Sequence, residues 1–199
     1  MQKIEYKKII QVVNFFAKKE GGTIDKLKLI KLVWLADRYH LRKFGRLITN
    51  DQYWAMPYGP VASNTKDLVG NNVFWDNKEK SYIERYLKIQ GDRIKTIKDC
   101  DFDFFSETDI KSIEDIYEKY GKYKASTLVT FSHKFPEWKK NKNKIKGSNT
   151  RELMNYEDFF LNPEEEINSP ENIFNESSKE LGSSKRSFEI FYQNNNCWH

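Results

Sequence analysis

From Ile24 to Phe44 the chain runs without a glycine or a proline. Apolar side chains stand at Ile24, Leu27, Leu29, Ile30, Leu32, Val33, Trp34, Leu35, Ala36, Tyr39, Leu41 and Phe44. At 3.6 residues per turn these positions cover more than one face, the pattern of a helix with neighbours on several sides. The apolar run from Leu29 also fits a buried strand, but the length without a breaker decides for helix. Thr23 offers an N-cap with Asp25 in the first turn. Arg42 and Lys43 sit where cations suit the C-terminal end of the dipole, and Gly45 closes the helix in the left-handed conformation. Everything else must pack around this central helix.

The flanking sequence fills in the neighbours. Residues 3–19 have the apolar spacing of a helix, which pairs antiparallel with the central one across Gly21-Gly22. After Gly45 the chain is short and extended, turns at Asn50-Asp51, and reaches an aromatic stretch from Gln52 to Tyr58 that ends at Gly59-Pro60. The residue before a proline is pushed out of the helical region, so this corner is stiff. Helix resumes over Val61–Val69, and Val73-Phe74-Trp75 reads as a buried connector. Residues 82–98 alternate around Gly91-Asp92 and predict a β-hairpin. Ser106 with Asp109 forms a capping box for a helix to Tyr120, closed by Gly121. A short helix spans Ser126–Phe131, the lysine-rich stretch after Trp138 is a solvated loop, and residues 150–161 suit a final helix. The predicted class is α+β, predominantly α-helical: a compact helical domain around a buried central helix, with a small antiparallel sheet or hairpin. The predicted division is a domain over 1–161 and an acidic, flexible tail over 162–199. Within that tail, 187–198 is aromatic enough to dock.

Charge and composition narrow the function classes. The formal charge is +5, yet residues 161–199 hold seven acids against three bases, a net −4 that leaves +9 on residues 1–160. A basic body with an acidic tail suits an acidic partner, or a tail folded back on the body. No apolar run reaches the length of a membrane span, and the start lacks the pattern of a signal peptide, so the expected location is cytoplasmic. Cys100 and Cys197 fit neither a disulfide framework nor a metal site, and His40, His133 and His199 are too few and too scattered for metal ligation. Ser132-His133 are adjacent and lack a nucleophile-elbow context, and no phosphate-binding glycine loop is present. No catalytic residue, cofactor or metal is therefore expected, and the chain reads as a non-enzyme.

Nucleic-acid binding has partial support. Lys26, Lys28, Lys31, Arg38, Arg42, Lys43 and Arg46 give the central region positive character, and Lys139–Lys146 adds to it. The first group lies on a helix that must be largely buried, so the stems are expected to snorkel to the rim. The acidic tail would repel a phosphate backbone. Aromatic residues at a stiff corner are also the residues that anchor protein interfaces. A protein-binding module is the simplest reading.

Residues 26–61 resemble the Panacea domain, the SocA-like antitoxin domain of phage-associated proteins. The resemblance is carried by Lys28-Leu29, Lys31-Leu32, Trp34, Ala36, His40, Gly45, Asp51, Trp54-Ala55 and Tyr58-Gly59-Pro60-Val61. A second signature matches Ser126, Leu128, His133, Pro136 and Trp138, so the likeness extends over about residues 3–160. Trp34 stands where the family favours tyrosine, and Ser132 where threonine is common. The resemblance implies a mostly helical antitoxin that neutralises a partner toxin, encoded by the adjacent gene, through direct protein contact. It also implies an alternative in which the antitoxin acts as a protease adaptor. On this reading Lys28, Leu29, Lys31, Leu32, Trp34, His40, Gly45, Gly59 and Pro60 build the fold, and Tyr53, Trp54, Tyr58, His133 and Trp138 meet the partner.

Overall fold

The computed structural model describes residues 5–70, 76–146, 150–163, 173–174 and 176–194. The predicted connector at Val73–Trp75 and residues 195–198 of the predicted docking stretch lie outside them. Helix α1 (Tyr6–Lys19) buries Ile9, Ile10, Val12, Val13 and Phe16. The chain then passes through Gly21 and Gly22, both at positive φ, into strand β1 (Thr23–Asp25) and helix α2 (Lys26–Phe44). The residue that caps α2 is Asp25, not Thr23: its carboxylate accepts the amide of Lys28, while Thr23 is committed to strand pairing with Lys95. The far end is as expected, with Gly45 at φ 70° and its amide on the Leu41 carbonyl. Every residue from Lys28 to Arg42 is buried. Helix α2 is the axis of the molecule, touched by α1 and by elements that come as late in the chain as Ser178–Asn194.

The predicted hairpin at 82–98 is shorter than its sequence pattern. Residues Asn77–Tyr86 form helix α4, capped by an Asp76–Glu79 box that satisfies both ends reciprocally. Ile83 and Tyr86 fall on its buried face. Only Leu87–Gln90 (β4) and Arg93–Thr96 (β5) are extended, joined at Gly91 with φ 58°, and β1 adds to β5. A second hairpin lies where an irregular corner was expected. Tyr53–Met56 (β2) pairs antiparallel with Gly59–Ala62 (β3) around a Pro57-Tyr58 turn, so the following helix, α3, starts only at Ser63 and ends at Leu68. The β3 strand tolerates Pro60 because it is an edge strand whose outer side needs no amide donor. On the other side of β2 lies β6 (Glu152–Leu153), with a 3₁₀ turn over Tyr156–Phe160. The helix expected over 150–161 is absent, because Asn155 caps only that short turn and Met154 donates its amide to Tyr53.

Two buried carboxylates fix the link between α2 and the second hairpin. Asp37 accepts the amides of Ile48 and Thr49, the Thr49 hydroxyl and the Tyr53 hydroxyl. Asp51 accepts the amides of Asn64 and Thr65 and the Thr65 hydroxyl, so it caps α3 from outside that helix. Burial raises the pKa of both, that of Asp51 to about 7.

Helix α5 (Glu107–Tyr120) begins with the expected Ser106–Asp109 capping box. Gly121 closes it, but at φ −59° rather than in the left-handed region. Then follow α6 (Ala125–Ser132), the single turn α7 (Pro136–Lys139) and, after the 3₁₀ turn, α8 (Ser178–Asn194). The segment expected to be flexible thus contributes a helix against α2. Phe174, Ser184, Phe188 and Tyr192 are buried, the Ser184 hydroxyl bonds the Lys43 carbonyl, and the Tyr192 hydroxyl bonds Asn50. Among the described residues, no helix is long and apolar enough to cross a membrane.

Candidate functional site

The two separated sequence signatures meet at one place, the turn between β2 and β3. Lys31 is wholly buried on α2 and donates from Nζ to the Pro60 carbonyl at 2.8 Å. Burial lowers its pKa to about 7. Gly59 stands at φ 96°, and a Cβ there would overlap Ser132 Oγ and lie 2.8 Å from Lys31 Nζ. The Ser132 hydroxyl donates to the Val129 carbonyl. Both donors around Gly59 are therefore committed to backbone carbonyls: the Lys31 bond ties the turn to α2, while Ser132 bonds within its own helix and packs against Gly59.

The next residues extend the same contact. The His133 ring stacks on Trp138 with centroids 3.8 Å apart and planes 15° from parallel. The Trp138 indole donates to the Met56 carbonyl at 2.9 Å, which ties α7 to the turn. Burial, followed by the charge of Lys31, lowers the pKa of His133 and favours the neutral ring. Above this supported layer the Tyr58 side chain is 69% exposed. It borders an open groove of about 980 Å³ whose apolar wall is formed by Leu27, Ile30, Met56, Pro57, Val61 and Val129.

The five predicted contact residues thus divide. Tyr58 is exposed, while Trp54 and His133 are half-buried. Trp54 has the Arg151 guanidinium 4.8 Å over its ring. Tyr53 and Trp138 are buried, and they support the surface rather than form it. Tyr53 is held by Asp37, and Trp138 by Met56 and His133. The nine fold-building positions include the core residues Leu29, Leu32 and Trp34. Lys28 joins Glu20 to the Gly121 carbonyl. The His40 Nδ1–H donates to the Arg46 carbonyl and its Nε2 accepts from Thr108, a neutral tautomer consistent with a pKa lowered to about 4 chiefly by burial.

The snorkelling expected for the α2 cations does not occur at Arg38 and Arg42, which are wholly buried. Arg38 pairs with Glu137 at 2.8 Å and bonds the Leu161 carbonyl. Arg42 pairs with Glu176 and bonds the Phe159 and Leu161 carbonyls and the Asn162 side chain. Burial pushes Glu137 up and brings Arg42 down to about 10. These two arginines were missed as fold determinants. The available signal was that cations on every side of a necessarily buried helix need buried acids elsewhere. No group of three or more His, Cys, Asp or Glu suited to a metal ion occurs among the described residues.

Against known proteins, a family model described as Antitoxin SocA-like, Panacea domain, matches residues 29–139, more than half of the chain. Lys31, Gly59, Pro60, Ser132, His133 and Trp138 all fall inside that span. No curated protein and no solved structure matches the chain.

Proposed function

The chain belongs to the SocA-like antitoxin family of Panacea domains, and from that premise we propose that it neutralises a partner toxin by direct protein contact. The observation that carries this reading is Tyr58: a large aromatic ring held out over an apolar groove by a turn that Lys31 and Trp138 tie down by hydrogen bonds. A ring preorganised in this way loses little conformational freedom on binding, which is how aromatic anchors gain affinity. Trp54 and His133 flank it as secondary contacts, and Tyr53 and Trp138 act by positioning. The role is non-enzymatic, in keeping with the committed hydroxyl of Ser132. The toxin is expected from the adjacent reading frame, and the complex in the cytoplasm. Tyr58→Ala tests the assignment. The variant should melt within about 0.5 kcal/mol of the parent, as an exposed substitution does. It should lose about 2 kcal/mol of affinity for the co-purified neighbour, in the range of an aromatic hot spot. Undiminished affinity in the folded variant would move the contact surface elsewhere.

A second reading, a nucleic-acid-binding regulator, is favoured by one observation. Lys88 and Lys95 face each other directly across β4 and β5, with Arg93 nearby, all three exposed. Like charges at opposed positions are unfavourable without an anionic partner. Affinity for duplex DNA that falls steeply between 50 and 200 mM salt, on the order of tenfold or more, would support it. No binding at 50 mM would remove it.

A further inference from the structure

Phe174 and Glu176 enter the family domain as a pair from outside the stretch that the family match covers. The Phe174 ring is 3% exposed and sits 5.5 Å from Phe135, 6.2 Å from Tyr39 and 6.5 Å from Tyr120, centroid to centroid. The Arg38 guanidinium covers its face at 4.6 Å. Two positions on, Glu176 accepts from Arg42 Nε at 2.9 Å. Every receiving side chain lies within residues 29–139. The receiving surface therefore combines an aromatic slot with a buried guanidinium beside it, which is the chemistry of short-peptide recognition.

The occupant does not saturate this surface. Among the described residues, the buried atoms Arg38 Nη1, Glu137 Oε2 and Glu176 Oε1 have no hydrogen-bond partner. Arg38 is itself wholly buried, so the Nη1 end of its guanidinium has been taken out of water without a protein acceptor among the described residues. A segment with one further acceptor near the ring would hold this site better than the chain's own residues do.

We propose that Arg38, Tyr39, Arg42, Tyr120 and Phe135 form a peptide-recognition pocket for an aromatic residue followed two positions later by an acid. Phe174 and Glu176 occupy it in cis, and a partner segment of the same chemistry competes for it. The cis segment acts as a tethered competitor, so the pocket's apparent affinity for an outside peptide is reduced by the fraction of time the tether is seated. This inference is independent of the toxin and of the Tyr58 surface, because its test needs neither.

The probe is a fluorescent synthetic peptide with the sequence of residues 170–180, titrated into the full chain and into the full chain carrying Phe174→Ala and Glu176→Ala. The folded double variant should bind it at least about tenfold more tightly than the parent chain. Replacing the peptide's own Phe by Ala, or the Glu two positions after it by Gln, should remove most of that gain. A double variant that melts cooperatively but binds no better than the parent overturns the proposal, as does binding indifferent to both peptide positions. Should the double variant not fold, Glu176→Gln in the full chain, which keeps the ring and nearly the same volume, carries the comparison. A rise of about threefold or more supports the pocket, and no rise overturns it.

Discussion

Gly59→Ala should be among the costliest single-methyl additions in this protein, for two separable reasons. The backbone at φ 96° is a conformation that L side chains rarely adopt, and holding a non-glycine residue there costs about 1–3 kcal/mol. The added Cβ would also overlap Ser132 Oγ and crowd Lys31 Nζ at 2.8 Å, in a site where both side chains are wholly buried. Overpacking of that kind costs a further ~1–3 kcal/mol. Together they remove about 2–6 kcal/mol from a total that is typically 5–15 kcal/mol. Ser132→Ala alone should cost only about 1 kcal/mol, the worth of its bond to the Val129 carbonyl. Combining the two removes the Oγ in the way of the new methyl, so the double variant should recover about 1–2 kcal/mol relative to the sum of the single effects. The φ strain stays. Urea unfolding of the four proteins, followed by far-ultraviolet circular dichroism, measures the cycle. Additivity within about 0.5 kcal/mol would refute the claim that Gly59 is required by the approach of Ser132.

Three other outcomes are expected. Lys31 has its folded pKa lowered to about 7 from 10.5, so between those values the unfolded chain binds more protons and stability must rise with pH. From pH 6.5 to 9.5 the parent should gain up to ~3 kcal/mol on Lys31→Met, and parallel pH profiles from urea melts would disprove the burial account. His40, lowered to about 4, gives a loss of stability as pH falls from about 6.5 to 4, on the order of 3 kcal/mol, which His40→Gln should largely abolish in the same melts. Gly45→Ala would set a Cβ 2.5 Å from the Ser184 carbonyl and 2.7 Å from Ser187 Cβ, so α8 should detach. Hydrogen exchange across Ser178–Asn194 should accelerate at least about tenfold while α5 stays protected, and unchanged exchange would show that α8 does not depend on this approach.

What the sequence shows depends on how far apart the deciding residues lie. The Ser106–Asp109 box and the α2 terminus at Gly45 were legible because each is decided within a few positions. The hairpin at Tyr53–Ala62 was not, since its Pro57-Tyr58 turn lacks an Asn-Gly or Asp-Gly signal and its positive-φ glycine comes only at the next position. Residues 82–86 alternate well enough for a strand, yet the Asp76 capping box claims them for α4. The sequence of α8 is rich in serine and carries Gly182, a weak helix former in isolation. Contact with α2 and with the surface at Gly45 supplies what propensity does not. At the candidate site, the division of the predicted residues into exposed and supporting ones was not legible. An aromatic side chain looks the same in sequence whether it anchors a partner, as proposed for Tyr58, or supports the anchor from below, as Tyr53 and Trp138 do.

The embrace of α2 by residues from the opposite end of the chain also sets a timetable for synthesis. Arg42 is made early, but Glu176 is made only after the intervening sequence has been translated, a separation of 134 positions. At about 5–20 residues per second that is a delay of roughly 7–27 s. Throughout it Arg42 lacks Glu176, for most of it Arg38 and Arg42 also lack the Leu161 carbonyl, and the aromatic wall around them lacks Phe174 until just before its end. A nascent chain is thus without its last clasp for longer than most small domains take to fold. A ribosome paused ahead of residue 174 would hold out a domain whose principal helix still lacks part of its cover, and such a chain is the form in which proteases and chaperones would meet this protein first.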